Sequence, residues 1–76
     1  MLMNDEFILS HSKKLAERVR VAAKTKDAQV RLAYELALSR QPTDEERNVA
    51  LVFLETQSLE AFTHVVMNLN EFVYLR

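Results

Sequence analysis

Apolar residues recur at helical spacing along most of the chain, and the breaks between these runs divide it into four segments. Asn4 or Asp5 can cap the first, predicted to span about residues 5–24. On a helical wheel Ile8, Leu15, Val19, Ala22 and Ala23 share one arc, with Lys13, Arg20 and Lys24 on the other side. This is the pattern of a surface helix with one buried stripe. Asp27 can cap the second segment, residues 28–39. There Val30, Ala33, Tyr34, Ala37 and Leu38 share a face, while Leu32 and Leu36 lie nearly opposite. Only Arg31 and Glu35 make a polar stripe, at a spacing that allows them to pair. A helix apolar nearly all round belongs at the centre of a bundle.

Pro42 makes the clearest break, because it disfavours helical geometry in the residue before it. Thr43-Asp44-Glu45-Glu46 follows as a complete capping box opening a helix over 44–57. Asp44 and Glu45 also suit the positive end of the helix dipole. Val49, Ala50, Phe53 and Leu54 are expected to face inward. Ser58 can cap a fourth helix over 59–69, with Leu59, Phe62, Val65, Val66 and Leu69 as its stripe. Asn68 or Asn70 is the expected left-handed stop. Phe72-Val73-Tyr74-Leu75 then forms a short tail packed back on the bundle. The fold class is all-α: one domain, residues 1–76, a compact bundle of four short helices.

Composition sharpens this picture. The chain has 76 residues with no Gly, one Pro and no Cys. Ordinary usage would supply about five glycines. Their absence argues against hairpin turns, phosphate-cradling loops and most catalytic elbows. The absence of Cys removes disulfides, thiolate metal sites and a thiol nucleophile together. A net charge of −1 gives no overall pull toward nucleic acid or anionic lipid. No run of about 18 apolar residues marks a membrane span, and no signal peptide is recognisable at the start. Charge is nonetheless uneven. Residues 1–40 hold eight of the ten Lys and Arg with five acids, and residues 41–76 hold two with six acids. The two halves are expected to attract one another across the bundle.

Candidate chemistry is sparse. His11 and His64 fall on polar faces, and neither has a carboxylate or second His at i+4, the pattern of solvated histidines rather than a metal site. Asp44, Glu45 and Glu46 are explained by capping and dipole. No nucleophile–base pair or cofactor motif can be drawn, so no catalytic, cofactor-binding or metal residues are expected. Lys13, Lys14, Arg18, Arg20 and Lys24 form a basic ridge that nucleic acid could use. Glu17 interrupts that ridge and no aromatic is interleaved, which favours a solvated face. Arg40 is expected to satisfy open helix-end carbonyls, or to pair with Glu46 or Glu71. Leu51, Val52, Met67, Phe72 and Tyr74 are apolar residues beyond what the core needs. They are either covered by the tail or form a docking surface for another domain or a second copy.

Three segments carry a family resemblance: Asn4-Asp5-Glu6-Phe7-Ile8, Ala37-Leu38-Ser39-Arg40-Gln41-Pro42-Thr43-Asp44-Glu45-Glu46, and Met67-Asn68-Leu69-Asn70-Glu71-Phe72-Val73-Tyr74. In order and spacing they resemble the C-terminal helical portion of a planctomycete-specific domain of unknown function. That domain occurs in large exported proteins often joined to cytochrome c-like modules. The resemblance makes Arg40, Pro42, Thr43, Glu46, Asn70 and Glu71 a structural motif, and it implies no catalytic residues here. It also implies that the chain is normally part of a larger, exported protein. Ser39 stands where the family has Gly, so a non-Gly residue must supply the left-handed stop after the second helix.

The expected function is a non-catalytic helical interaction or accessory module that contacts other domains or itself. The alternative is a small nucleic-acid-binding protein using the basic face of the first helix. Thr43→Ala is expected to cost about 1 kcal/mol through loss of the cap, read as a lower denaturant midpoint at unchanged slope.

Overall fold

Thr25, Thr43 and Ser58 each place a hydroxyl oxygen where it accepts from the backbone N–H three residues on, and these caps set where three of the four helices begin. The computed structural model describes the backbone of residues 6–75 and the side chains of residues 9–69. It is an all-α bundle of α1 (Glu6–Ala22), α2 (Lys26–Leu38), α3 (Asp44–Thr56) and α4 (Leu59–Leu75). The expected cap at Asn4 or Asp5, and the side chain of Ile8, lie outside the described residues.

Two boundaries differ from the sequence expectation. α2 starts at Lys26 because Thr25, in an extended conformation, accepts from the Ala28 amide at 3.1 Å. Asp27 is therefore not the cap but sits in the first turn, where its carboxylate meets both the helix dipole and two arginines. It takes Arg31 at 3.0 Å and Arg47 of α3 at 3.1 Å. Arg31 thus turns toward Asp27 rather than Glu35, which instead accepts from the Gln41 side-chain amide at 2.8 Å. α4 does not stop at Asn68 or Asn70 but continues to Leu75. Asn in a helix costs only a fraction of what Gly or Pro costs, and neither breaker occurs in this stretch.

The core is formed by Leu15 and Val19 of α1, Val30, Ala33 and Tyr34 of α2, Ala50 and Leu54 of α3, and Phe62 and Val66 of α4. α2 touches all three other helices, as a central element should, and so does α4. The most extensive pairing is between α1 and α4. It is a seam of small residues: Ser12, Ala16 and Val19 are buried there with Thr63 and Val66. The Thr63 hydroxyl donates to the Ser12 carbonyl at 2.7 Å and lies 3.0 Å from the Glu60 carbonyl, while Ser12 donates to the Leu9 carbonyl at 2.9 Å. Both buried hydroxyls are satisfied, which a dry interface requires. Ala22, expected inside, is exposed, and Ala23 is buried.

Without glycine, the helix ends are closed in other ways: the backbone N–H groups of Ser39 and Gln57 donate to the Glu35 and Phe53 carbonyls at the ends of α2 and α3. At the end of α1 the Gln29 amide donates to the Ala23 carbonyl at 3.1 Å. At the end of α2, Ser39 adopts φ 59° and ψ 33°, the only positive φ among the described residues. Arg40 then clamps the turn. Its guanidinium holds both carboxylate oxygens of Glu46 at 2.8 and 2.9 Å, reaches the Gln41 carbonyl at 3.0 Å, and lies 5.4 Å over the Tyr34 ring. Glu46 also closes the capping box, accepting from the Thr43 amide at 2.9 Å. Pro42, half-buried, leads directly into that cap.

Two predictions follow from this turn. Ser39→Gly should stabilise the chain by about 0.5–1 kcal/mol, because Gly adopts the left-handed conformation without the Cβ penalty; an unchanged unfolding midpoint would contradict the strain. The Glu46 carboxyl is held down to about 2, chiefly by Arg40 and then by the Thr43 amide. A carboxyl lowered on folding stabilises above its unfolded value and loses that contribution as pH falls toward 2. Stability should therefore decline between about pH 4.5 and 2 by no more than about 1 kcal/mol from this partly solvated pair. Acid unfolding of Glu46→Gln should lack that component.

Candidate docking groove

α3 carries more apolar surface than one buried face can take. Ala50 and Leu54 point into the core, and Phe53 is half-buried. Val49 and Val52, on the next strip round the helix, stay outside at 69% and 63% exposure. α4 repeats the arrangement: Phe62 and Val66 are buried, whereas Val65 and Leu69 remain 44% and 41% exposed. Val49, Val65 and Leu69 were expected inside. They are outside because, among the described residues, α3 and α4 make the least extensive of the pairings between touching helices and leave a gap between them.

That gap is an open groove of about 380 Å³. One wall is Glu45, Glu46, Val49 and Phe53 of α3, and the other is Val65 and Leu69 of α4. Tyr34, Ala50, Phe62 and Val66 form its floor. The Phe62 ring packs against Phe53 at 6.2 Å and Tyr34 at 6.4 Å, both tilted, so aromatic rings from three helices meet at the groove. Burial pushes the Tyr34 hydroxyl above its ordinary range, with the Glu46 carboxylate adding to the effect. Glu46 is committed to Arg40 and Thr43, whereas Glu45 makes no ion pair among the described residues.

Of the residues expected to form a docking surface, Val52 is exposed, but Leu51 and Met67 are half-buried and pack against the core. Their side chains contribute to stability rather than to a free surface. Phe72 and Tyr74, with Asn70 and Glu71 of the expected motif, lie outside the described side chains. Val49, Val65 and Leu69 are the groove residues that periodicity assigned to the core. The available signal was the surplus itself, two apolar strips on α3 where one suffices.

The basic ridge is divided. Arg20 bridges Glu17 at 2.7 Å and Glu60 of α4 at 2.9 Å, and the guanidinium holds the Glu60 carboxyl below its ordinary range. Lys13, Lys14 and Arg18 are exposed on α1, and Lys24 is exposed beyond its end. The two halves of the chain do attract through specific pairs, Arg20–Glu60, Arg40–Glu46 and Asp27–Arg47. His11 is exposed and His64 half-buried, and no group of three or more metal-ligating side chains occurs among the described residues. No helix among them is long and apolar enough to cross a membrane.

No curated protein and no solved structure matches the chain. A family model does match, over residues 1–54. The match covers α1, α2 and α3 as far as Leu54, including the Ser39–Glu46 turn and the α3 wall of the groove. The α4 wall and the segment Met67 to Tyr74 lie beyond it. With well over half of its length matched, the chain belongs to the family PSD1, a protein of unknown function (DUF1553).

Proposed function

We propose that the chain is a non-catalytic helical interaction module, and that the α3–α4 groove is its contact surface. The observation that carries this reading is the groove itself. An apolar trough between two helices, with Tyr34 and Phe62 in its floor and exposed Val49, Val65 and Leu69 on its walls, is the shape into which a further helix packs. Among the described residues its charged lining is Glu45 and Glu46, and Glu46 is neutralised in the Arg40 clamp. Nothing in this arrangement assembles a nucleophile, a base and an orienting group, so the proposed role is contact rather than catalysis.

The proposed setting is a larger family protein, with another domain of that protein as the partner. The planctomycete character, export and linkage to cytochrome c-like modules, implied by the sequence resemblance, enter as part of this proposal. The nucleic-acid alternative is weakened by the commitment of Arg20 to two carboxylates.

Mixing the chain with the remaining domains of a family protein should give a complex in sedimentation. Val65→Asp should weaken it about tenfold or more by placing a charge in an apolar contact. Because Val65 is already partly solvent-exposed, its thermal unfolding should move little. Association that Val65→Asp leaves unchanged would remove the groove from the function. Salt-sensitive binding of duplex DNA, lost on Lys13→Glu, would favour the basic face instead.

A further inference from the structure

We propose that the groove receives a basic amphipathic helix that is not part of this chain; this rests on the interaction-module reading above and names the chemistry of the partner. The first argument is charge. Between Gln41 and Leu69 the sequence has five acids and one basic residue, Arg47. Arg47 is drawn away to Asp27 on α2. Glu46 and Glu60 are neutralised from the other half of the chain by Arg40 and Arg20. Glu45 is left as the one carboxylate lining the groove without an ion-pair partner among the described residues. A Lys or Arg flanking the apolar face of an incoming helix would meet it.

The second argument is size. α4 lines the groove from Phe62 in the floor to Leu69 on the wall, about 10 Å at the helical rise. That length accommodates side chains at i, i+4 and i+7 of a docking helix, roughly two turns. The walls Val49–Phe53 and Val65–Leu69 each present residues one turn apart, the complementary spacing.

A second copy of the chain fits less well. Placing groove on groove brings two regions of the same negative sign together. The oppositely charged face of α1 exposes Leu9 and Val21 as its large apolar residues among those described, and these are too far apart along the helix to serve as neighbouring anchors.

Two synthetic helices of about 16 residues, roughly four turns, test this directly. Both carry Leu at the same i, i+4, i+7 and i+11 positions; one has Lys on the flanking positions and the other Glu. Titrated into isotopically labelled chain at low salt, the Lys peptide should bind about fivefold or more tightly than the Glu peptide. The amides of Val49 and Val65 should shift, and Glu45→Lys should abolish or reverse the preference. Equal affinities, binding that maps elsewhere, or a preference untouched by Glu45→Lys would overturn the proposal. So would failure of the Lys peptide to bind while domains of a family protein still occupy the groove, and in that case the interaction-module reading stands. If neither binds, both fall.

Discussion

The turn between α2 and α3 is the constraint on which the rest of this molecule depends. A chain without glycine still has to end a central helix and reverse direction within a few residues. Ser39 does so by accepting a left-handed conformation, and Arg40 holds the result by gripping the Glu46 carboxylate and covering the Tyr34 ring. The clamp joins the end of one helix to the capping box of the next, so the direction of α3 is fixed as it starts. Asp27 repeats the device from the start of α2, taking Arg47 from the first turn of α3. α3 is thereby tied to α2 at two points and meets α4 less than α2.

The groove is a consequence of that tether. α4 is committed elsewhere, to the seam of small residues along α1 in which Thr63 donates to the Ser12 carbonyl. With α3 held by α2 and α4 held by α1, the space between them is floored by Tyr34, Ala50, Phe62 and Val66 but not closed. Local packing is satisfied on both sides, and Val49, Val65 and Leu69 remain outside because each helix is fixed by its other partner. An exposed apolar trough of this kind is costly in water unless something covers it. This connects the mechanics of the turn to the proposed role in contact.

Much of the architecture was legible in the sequence, and for identifiable reasons. The Thr43–Glu46 box, the Ser58 cap, the left-handed Ser39 and the Arg40–Glu46 pair all depend on residues within six positions of one another, where local chemistry decides. What periodicity misplaced depends on partners distant in sequence. Val49, Val65 and Leu69 have the same spacing as the core residues, and only the divided loyalties of α3 and α4 put them outside. Leu51 and Met67 show the converse, taken as surplus from the wheel yet packed against the core. Ser12 and Thr63 are polar by type and buried by context, since a close helix pair needs small side chains more than it needs apolar ones. Thr25 displaced Asp27 as a cap because two good candidates lay two residues apart, and Asp27 had two arginines to attract it.

The proposed contact role requires that the α3–α4 groove be open in the isolated chain. Methyl NMR with a soluble paramagnetic agent reads this most directly, because each valine and leucine methyl reports its own access to solvent. The methyls of Val49, Val65 and Leu69 should broaden nearly as strongly as those of Val52, while Val19, Val30 and Val66 stay sharp. Val49 and Val65 methyls as protected as those of Val66 would mean that the groove is closed, and would contradict the account.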